Sequence, residues 1–155
     1  MRNIWQTIEG SRALRRARGF TLIEIMVVVI IIGLLAAVIV PQVITKVDEA
    51  RVAKAKQDIQ SLETALTMFR LDNSKYPTTE QGLAALTTQP TDPTIRHWRP
   101  GGYLQHVSKD PWGADYQYTS PGTHVKDYDL YTLGADGQPG GEGQDADIGN
   151  WNMTD

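Results

Sequence analysis

The stretch "RARGFTLIEIMVVVIIIGLLAAVIVP", residues 16–41, runs basic residues straight into a long apolar segment that carries one acid, Glu24, near its start. From Ile25 to Val40 there is no charge. Wound as a helix at ~1.5 Å per residue, Phe20 to Val40 measures about 31 Å. That is enough to cross a hydrocarbon core of ~30 Å. Two ordinary readings compete. A secretory signal peptide needs small residues in an A-x-A-like pattern after its apolar region. Ala36-Ala37-Val38 approaches that pattern, but Ile39-Val40-Pro41 continues apolar and no polar region follows. A plain membrane anchor leaves Glu24 unexplained, because an acid at the centre of a membrane helix costs about 2.5–3.5 kcal/mol, less near an end. A cut between Gly19 and Phe20 would create a free amine one helical turn before Glu24, and residues four apart share a helix face. The amine of one copy would then neutralise Glu24 of another.

"GFTLIE", Gly19 to Glu24, with the basic leader before it and the unbroken apolar run after it, resembles the processing site of type IV pilins and pseudopilins. The resemblance implies cleavage after Gly19 by a prepilin peptidase, N-methylation of Phe20, and a role for Glu24 in docking subunits into a filament. On that reading residues 1–19 are a leader that is removed. The apolar run is kept as the core of a fibre.

Charge is unevenly placed. Arg2, Arg12, Arg15, Arg16 and Arg18 against Glu9 leave residues 1–19 at +4, so the rest of a chain of net charge −3 carries −7. The basic leader fits a cytoplasmic flank by the positive-inside rule. An acidic body argues against a nucleic-acid partner, which would want a basic face. The 155 residues leave room for one small domain after the apolar run. There is no cysteine to brace it, and so small a domain needs another brace, a metal ion or self-assembly.

After Pro41, Val52, Ala55, Ile59, Leu62, Leu66 and Phe69 recur at three- and four-residue steps, the pattern of an amphipathic helix. Lys54, Lys56, Asp58 and Glu63 lie between them as a solvated face. Helix from Phe20 to about Asn73 would be roughly 80 Å long, outrunning the domain it carries. Pro41 lacks an N–H and clashes with the preceding turn, so a kink or local melting is expected near residues 37–41. The pilin resemblance implies that a proline here marks the part of the helix that loosens on assembly.

Beyond Asn73, Thr78 and Gln81 are spaced as a capping box, and a short helix through Leu83 and Leu86 follows. "TTQPTDPT" reads as a proline-rich loop. "ADYQYT" and "DYDLYTLG" alternate in the manner of strands, with Tyr128, Leu130 and Thr132 on one face. The aromatics Tyr103, Trp112, Tyr116, Tyr118, Tyr128, Tyr131 and Trp151 are read as the bulk of the core in a chain with two Phe. His97, His106 and His124 have no metal-ligand spacing and are read as surface residues. No catalytic motif is present.

"LGADGQPGGEGQDADIGNW", Leu133–Trp151, sets Asp136, Glu142, Asp145 and Asp147 among glycines. Crowded carboxylates on a flexible backbone suit Ca²⁺, which takes oxygen ligands including main-chain carbonyls. The EF-hand spacing is absent. Gly140-Gly141-Glu142-Gly143-Gln144-Asp145 matches one calcium β-roll repeat, a fold that needs stacked copies. A solvated, mobile loop is the alternative on these residues alone. "YPTTEQGLAAL", "DPWGADYQY", "LGADG" and "DADIGNW" together with the N-terminal motif resemble the major pseudopilin family of the type II secretion system, nearly throughout the chain from Gly19. That resemblance implies one Ca²⁺ in the C-terminal loop, with side-chain oxygens from Asp136, Asp147 and Asp145 and carbonyls from Leu133 and Gln138.

The expected fold is α+β, a type IV pilin-like lollipop in which a long N-terminal α-helix packs on a small antiparallel sheet with a calcium-binding C-terminal loop. Residues 1–19 form the leader, 20–41 the transmembrane or fibre-core helix, and 42–155 the amphipathic helix and periplasmic domain. The resemblance implies a structural subunit rather than an enzyme. Anchored by one pass in the inner membrane, it would polymerise into a periplasmic pseudopilus that exports folded proteins. Its partners would be itself, minor pseudopilins at the tip, an inner-membrane assembly platform with its cytoplasmic ATPase, and prepilin peptidase. The alternatives are a type IV pilin for adhesion or DNA uptake, and a membrane-anchored calcium-dependent binding module or hydrolase.

Overall fold

Two patterns of apolar residues share one helix. In the computed structural model, which describes residues 19–153, helix α1 spans Leu22–Asn73. Residues 1–18 of the expected leader lie outside the described residues. The backbone is helical through residues 37–41. The chain divides into two compact units, Met1–Pro41 and Gln42–Asp155.

In the first unit the apolar residues are exposed all round. Leu22, Ile25, Met26, Val29, Ile32 and Leu35 are all open. A helix apolar on every side is stable only in lipid or among other helices. In the second unit the same helix is amphipathic. Ala55, Ile59, Leu62, Leu66 and Phe69 are buried, and Ala65 joins them. The outer face carries ion pairs one turn apart, Lys46–Glu49 and Lys54–Asp58, each at 2.7 Å.

α1 stops at Asn73 for local reasons. Its side-chain amide donates to the Phe69 carbonyl (3.1 Å) and to the Tyr103 hydroxyl (3.0 Å). Its side-chain oxygen accepts the His97 N–H at 3.2 Å. Ser74 turns into the left-handed region, φ 61°, and its N–H reaches the Arg70 carbonyl at 2.7 Å, the usual way to satisfy a helix end. The Thr78–Gln81 box forms in both directions (3.0 and 3.3 Å). It closes a turn just before a 3₁₀ helix, Leu83–Leu86.

Strands β1 (Gln117–Thr119), β2 (Asp129–Thr132) and β3 (Ile148–Gly149) form one antiparallel sheet in the order β1-β2-β3. Tyr118 pairs with Leu130, and Thr132 with Ile148. Tyr116, Tyr118, Tyr128, Leu130 and Ile148 meet the buried stripe of α1 in a single core with Leu83, Leu86 and Ile95. The polar ends of the tyrosines are all bonded. Tyr118 donates to the Pro77 carbonyl at 2.8 Å, and burial pushes its hydroxyl up to about 12. Tyr116 donates to Asp58 (3.1 Å) and Tyr128 to Glu63 (3.4 Å). This corrects the reading of Asp58 and Glu63 as plain solvated residues. Both are half-buried at the rim of the core, and burial raises the Glu63 carboxyl above its ordinary value.

Two buried carboxylates organise the loops. Asp110 accepts the N–H groups of Trp112 and Ala114 (3.0 and 2.8 Å) and the Thr132 hydroxyl, closing the Pro111-Trp112-Gly113 turn onto β2. Asp129, 2% exposed, accepts N–H groups from Thr123 (2.7 Å), His124 (3.0 Å) and Val125 (2.9 Å). Burial alone would raise its carboxyl. The hydrogen bonds outweigh that and hold it well below the usual carboxylate range.

Candidate functional site

Two segments carry the expected chemistry, and each is built differently. At the start of α1, Gly19 and Phe20 are exposed, Phe20 at 79%. The first helical turn is closed by Thr21 and Glu24. The Glu24 N–H donates to the Thr21 hydroxyl (3.3 Å) and the Thr21 N–H donates to the Glu24 carboxylate (3.4 Å). This is a capping box, which satisfies two orphan donors of the helix end at once. It went unread although its signature, Thr-x-x-Glu before an apolar run, stands in the sequence. Glu24 therefore has a partner within its own chain. An acid in the first turn also faces the positive end of the helix dipole. From Leu22 to Ile39 the helix is long and apolar enough to cross a membrane, which fits a single-pass anchor.

The acidic loop between β2 and β3 is folded back on itself. The Ala135 N–H donates to the Gln144 carbonyl at 2.9 Å. Gly134, at φ 69°, is where the strands close. A Cβ there would lie 2.8 Å from main-chain atoms of Gln144 and Asp145. Gly141, at φ 83°, is tighter, 2.3 Å from the Asp145 carbonyl oxygen. Both need a residue without a Cβ that tolerates left-handed backbone. A short 3₁₀ turn, Gly143–Asp145, leads into β3.

The predicted ligands do not converge as three carboxylates. Among the described residues no group of three acidic, histidine or cysteine side chains is placed to hold a metal. Asp136 is exposed and its carboxylate accepts the Gln138 N–H at 3.0 Å, a turn within its own segment. Asp145 is half-buried in the 3₁₀ turn. Asp147 differs from both. Its Oδ2 accepts the Gly140 N–H (2.9 Å) and its N–H donates to the Gly140 carbonyl (3.1 Å). Its Oδ1 is buried with no hydrogen-bond partner. A buried carboxylate oxygen without a donor is costly unless something positive meets it. Asp147 thus fits a cation ligand. Leu133 and Gln138 bring main-chain carbonyls to the same loop, the other kind of donor that Ca²⁺ accepts.

Comparison with known proteins covers both segments. Residues 42–151 match the model of the family described as type II secretion system protein G, and residues 14–40 match the prokaryotic N-terminal methylation motif. The chain is 56% identical over 144 residues to type II secretion system core protein G of Vibrio cholerae, covering 93% of this chain and 98% of that one. It is 55% identical over 138 residues to the protein of the same name from Pseudomonas aeruginosa, covering 88% and 96%. The crystal structure of the major pseudopilin from the type 2 secretion system of enterohaemorrhagic Escherichia coli superposes with a TM-score of 0.60 at 47% identity, over 68% of this chain and 90% of that one. Its resemblance supports the α+β arrangement of long helix and small antiparallel sheet described above. A methylation motif at the head of an apolar helix, a sheet packed on that helix's amphipathic half and a family match over residues 42–151 agree: the chain belongs to the protein G family of the type II secretion system.

Proposed function

We propose that this chain is a structural subunit, the major pseudopilin, rather than an enzyme, and that it polymerises into a periplasmic fibre which drives folded proteins across the outer membrane. The observation that carries this reading is the first half of α1. Its apolar side chains are exposed on every side, and one acid stands in its first turn beside the processing motif. Such a helix is stored in the inner membrane as a single span and buried later against copies of itself. Cleavage after Gly19 by prepilin peptidase removes the leader, and Phe20 becomes the methylated N-terminus. In the fibre Glu24 exchanges its own Thr21 N–H for the Phe20 amine of a neighbour. Softening of the helix near Pro41 accommodates the packing of residues 20–41, while residues 42–155 face outward. An inner-membrane platform adds subunits and minor pseudopilins form the tip.

Ca²⁺ would be held in the β2–β3 loop by Asp147, with Asp136, Asp145 and the Leu133 and Gln138 carbonyls drawn in as the ion binds. The support for it is the unpartnered Asp147 oxygen. When bound, the ion supplies positive charge that braces a loop lacking a disulfide.

The test is a deletion strain complemented with wild-type chain or with a Gly19 variant bearing a bulky residue. Deletion leaves exoproteins in the periplasm, and wild-type chain restores their release. The membrane-extracted wild type has a mass lower by residues 1–19 and higher by one methyl group. The Gly19 variant stays uncut and restores nothing. Normal export in the deletion strain overturns the secretion role, and an uncut wild-type chain overturns the processing.

A further inference from the structure

Trp151 and His124 take no part in the reading above, yet they join the far side of the sheet to Asp147. Trp151 lies in the turn directly after β3. Its indole covers the backbone of Gly149 so closely that a Cβ there would come within 2.5 Å of the ring. It also packs on Tyr131 of β2, ring centroids 5.5 Å apart. On Trp151 stacks the His124 imidazole, with centroids 4.0 Å apart and planes 12° from parallel. The imidazole is itself aimed. Its Nδ1 lies 3.1 Å from the buried Asp129 carboxylate, which also anchors the His124 main-chain N–H. Asp129 sits at the head of β2, so the stack rests on the sheet and not on a free loop.

The same turn grips Asp147. The Asn152 side-chain amide donates to the Asp147 carbonyl (2.9 Å), its side-chain oxygen accepts the Gly149 N–H (2.8 Å), and its own N–H returns to the Gly149 carbonyl (3.1 Å). Asn150 locks the turn onto β2 through the Leu130 N–H and carbonyl (3.1 and 3.0 Å). A residue at the end of a glycine-rich loop is fixed only as well as the segment that follows it. Here that segment is held by an aromatic stack whose outer ring is oriented by a buried acid.

We propose that His124 and Trp151 are positioning residues for Asp147: the stacked pair holds the 149–152 turn against β2, and the turn sets the Asp147 carboxylate at the mouth of the acidic loop. That this carboxylate then meets Ca²⁺ rests on the reading given above; the positioning does not. Each ring in such a stack is worth enough to change a local opening equilibrium by about two- to tenfold.

The test uses the full chain in detergent micelles with His124→Ala, Trp151→Phe and wild type. His124 is 55% exposed on its side chain, so its removal leaves the core in place. Amide exchange of Gly140, whose N–H is held by Asp147, is measured in chelator. It is expected to speed up by about two- to tenfold in His124→Ala, with the α1 amides of Leu62 and Leu66 unchanged, and to stay near wild type in Trp151→Phe, which keeps a ring to stack. Calcium affinity measured by calorimetry is expected to fall by a similar factor in His124→Ala alone. Equal Gly140 exchange in wild type and His124→Ala overturns the proposal, as does a uniform acceleration of all amides, which marks a merely structural role. If wild type takes up no calcium while Gly140 is still deprotected in His124→Ala, the positioning stands and the calcium reading falls.

Discussion

The two halves of α1 solve the same problem, apolar side chains on a helix, in opposite ways. Between Leu22 and Ile39 nothing among the described residues covers them. Between Ala55 and Phe69 a stripe is covered completely, and polar residues hold the edges. The first half is defined by what must come to it from outside. The second is defined by partners far along its own chain: Tyr116 lies 58 residues from Asp58, and Tyr128 lies 65 from Glu63. The difference teaches where substitutions act. In the first half they alter assembly and leave the domain folded. In the second they alter the fold before they reach assembly.

The sharpest break of that contrast lies within one turn of one helix. Phe69 is fully buried and Leu71 is 77% exposed. Phe69→Ala is expected to destabilise the domain by about 3–5 kcal/mol, and Leu71→Ala by no more than ~0.5 kcal/mol, both measured by denaturant unfolding. Comparable losses would mean that the exposed edge of α1 is covered in solution.

Next in size is the acid that holds residues 123–125. Asp129→Asn is expected to cost roughly 1.5–3 kcal/mol at neutral pH, the range for hydrogen bonds to a charged group. The sign with pH follows from its depressed folded value. The stabilisation is complete above the ordinary value of 3.8 and is lost as pH falls below it toward the folded value. Glu63 acts oppositely. Its folded value is raised by burial, so its contribution is present below the ordinary value and lost as pH rises through the folded one. Wild type should therefore lose stability in acid more steeply than Asp129→Asn, read from urea midpoints at pH 7 and pH 3. Parallel curves would remove the assigned role of Asp129.

The acidic loop comes third. With calcium at about 100 times its dissociation constant, the domain should gain ~2.7 kcal/mol, a rise of roughly 10–20 °C in melting temperature for a domain of this size. Asp147→Asn should lose most of that rise and melt like wild type in chelator. An undiminished shift would exclude Asp147 as a ligand.

What was legible in the sequence follows the same division. The apolar span, the stripe from Val52 to Phe69, the Thr78–Gln81 box and the strand alternation around Tyr118 and Leu130 are local patterns, and each is present. Asp129 was hidden because alternation assigns it to the open face of β2, while a loop from residues 120–125 folds over it. Asp58 and Glu63 were misread for a similar reason: their tyrosine partners are distant in sequence. His124 was rightly read as exposed, but its stack on Trp151 has no local signal. The loop acids carry a compositional signal for a cation and none for geometry, and among the described loop acids only Asp147 has a buried oxygen without a donor. The Thr21–Glu24 box is the one miss with its signal in plain view.

That miss offers the finest test, because Glu24 has two roles that one substitution separates. Gln at the same position still supplies an oxygen to the Thr21 N–H, since capping boxes accept Glu or Gln, but it cannot pair with a neighbour's charged amine. Thr21→Ala does the reverse, removing a cap worth about 1 kcal/mol and keeping the charge. Processing at Gly19 should survive both, judged by intact mass. Glu24→Gln should keep the helix start and lose fibre formation, measured by cross-linking of membrane-inserted subunits and by exoprotein release. Thr21→Ala should fray the first turn and still assemble, because it removes only the hydroxyl that accepts the Glu24 N–H and leaves the Glu24 carboxylate, the group the incoming amine needs, in place. If Glu24→Gln assembles normally while Thr21→Ala does not, Glu24 matters as a helix cap within its own chain, and the charge pairing between subunits is wrong.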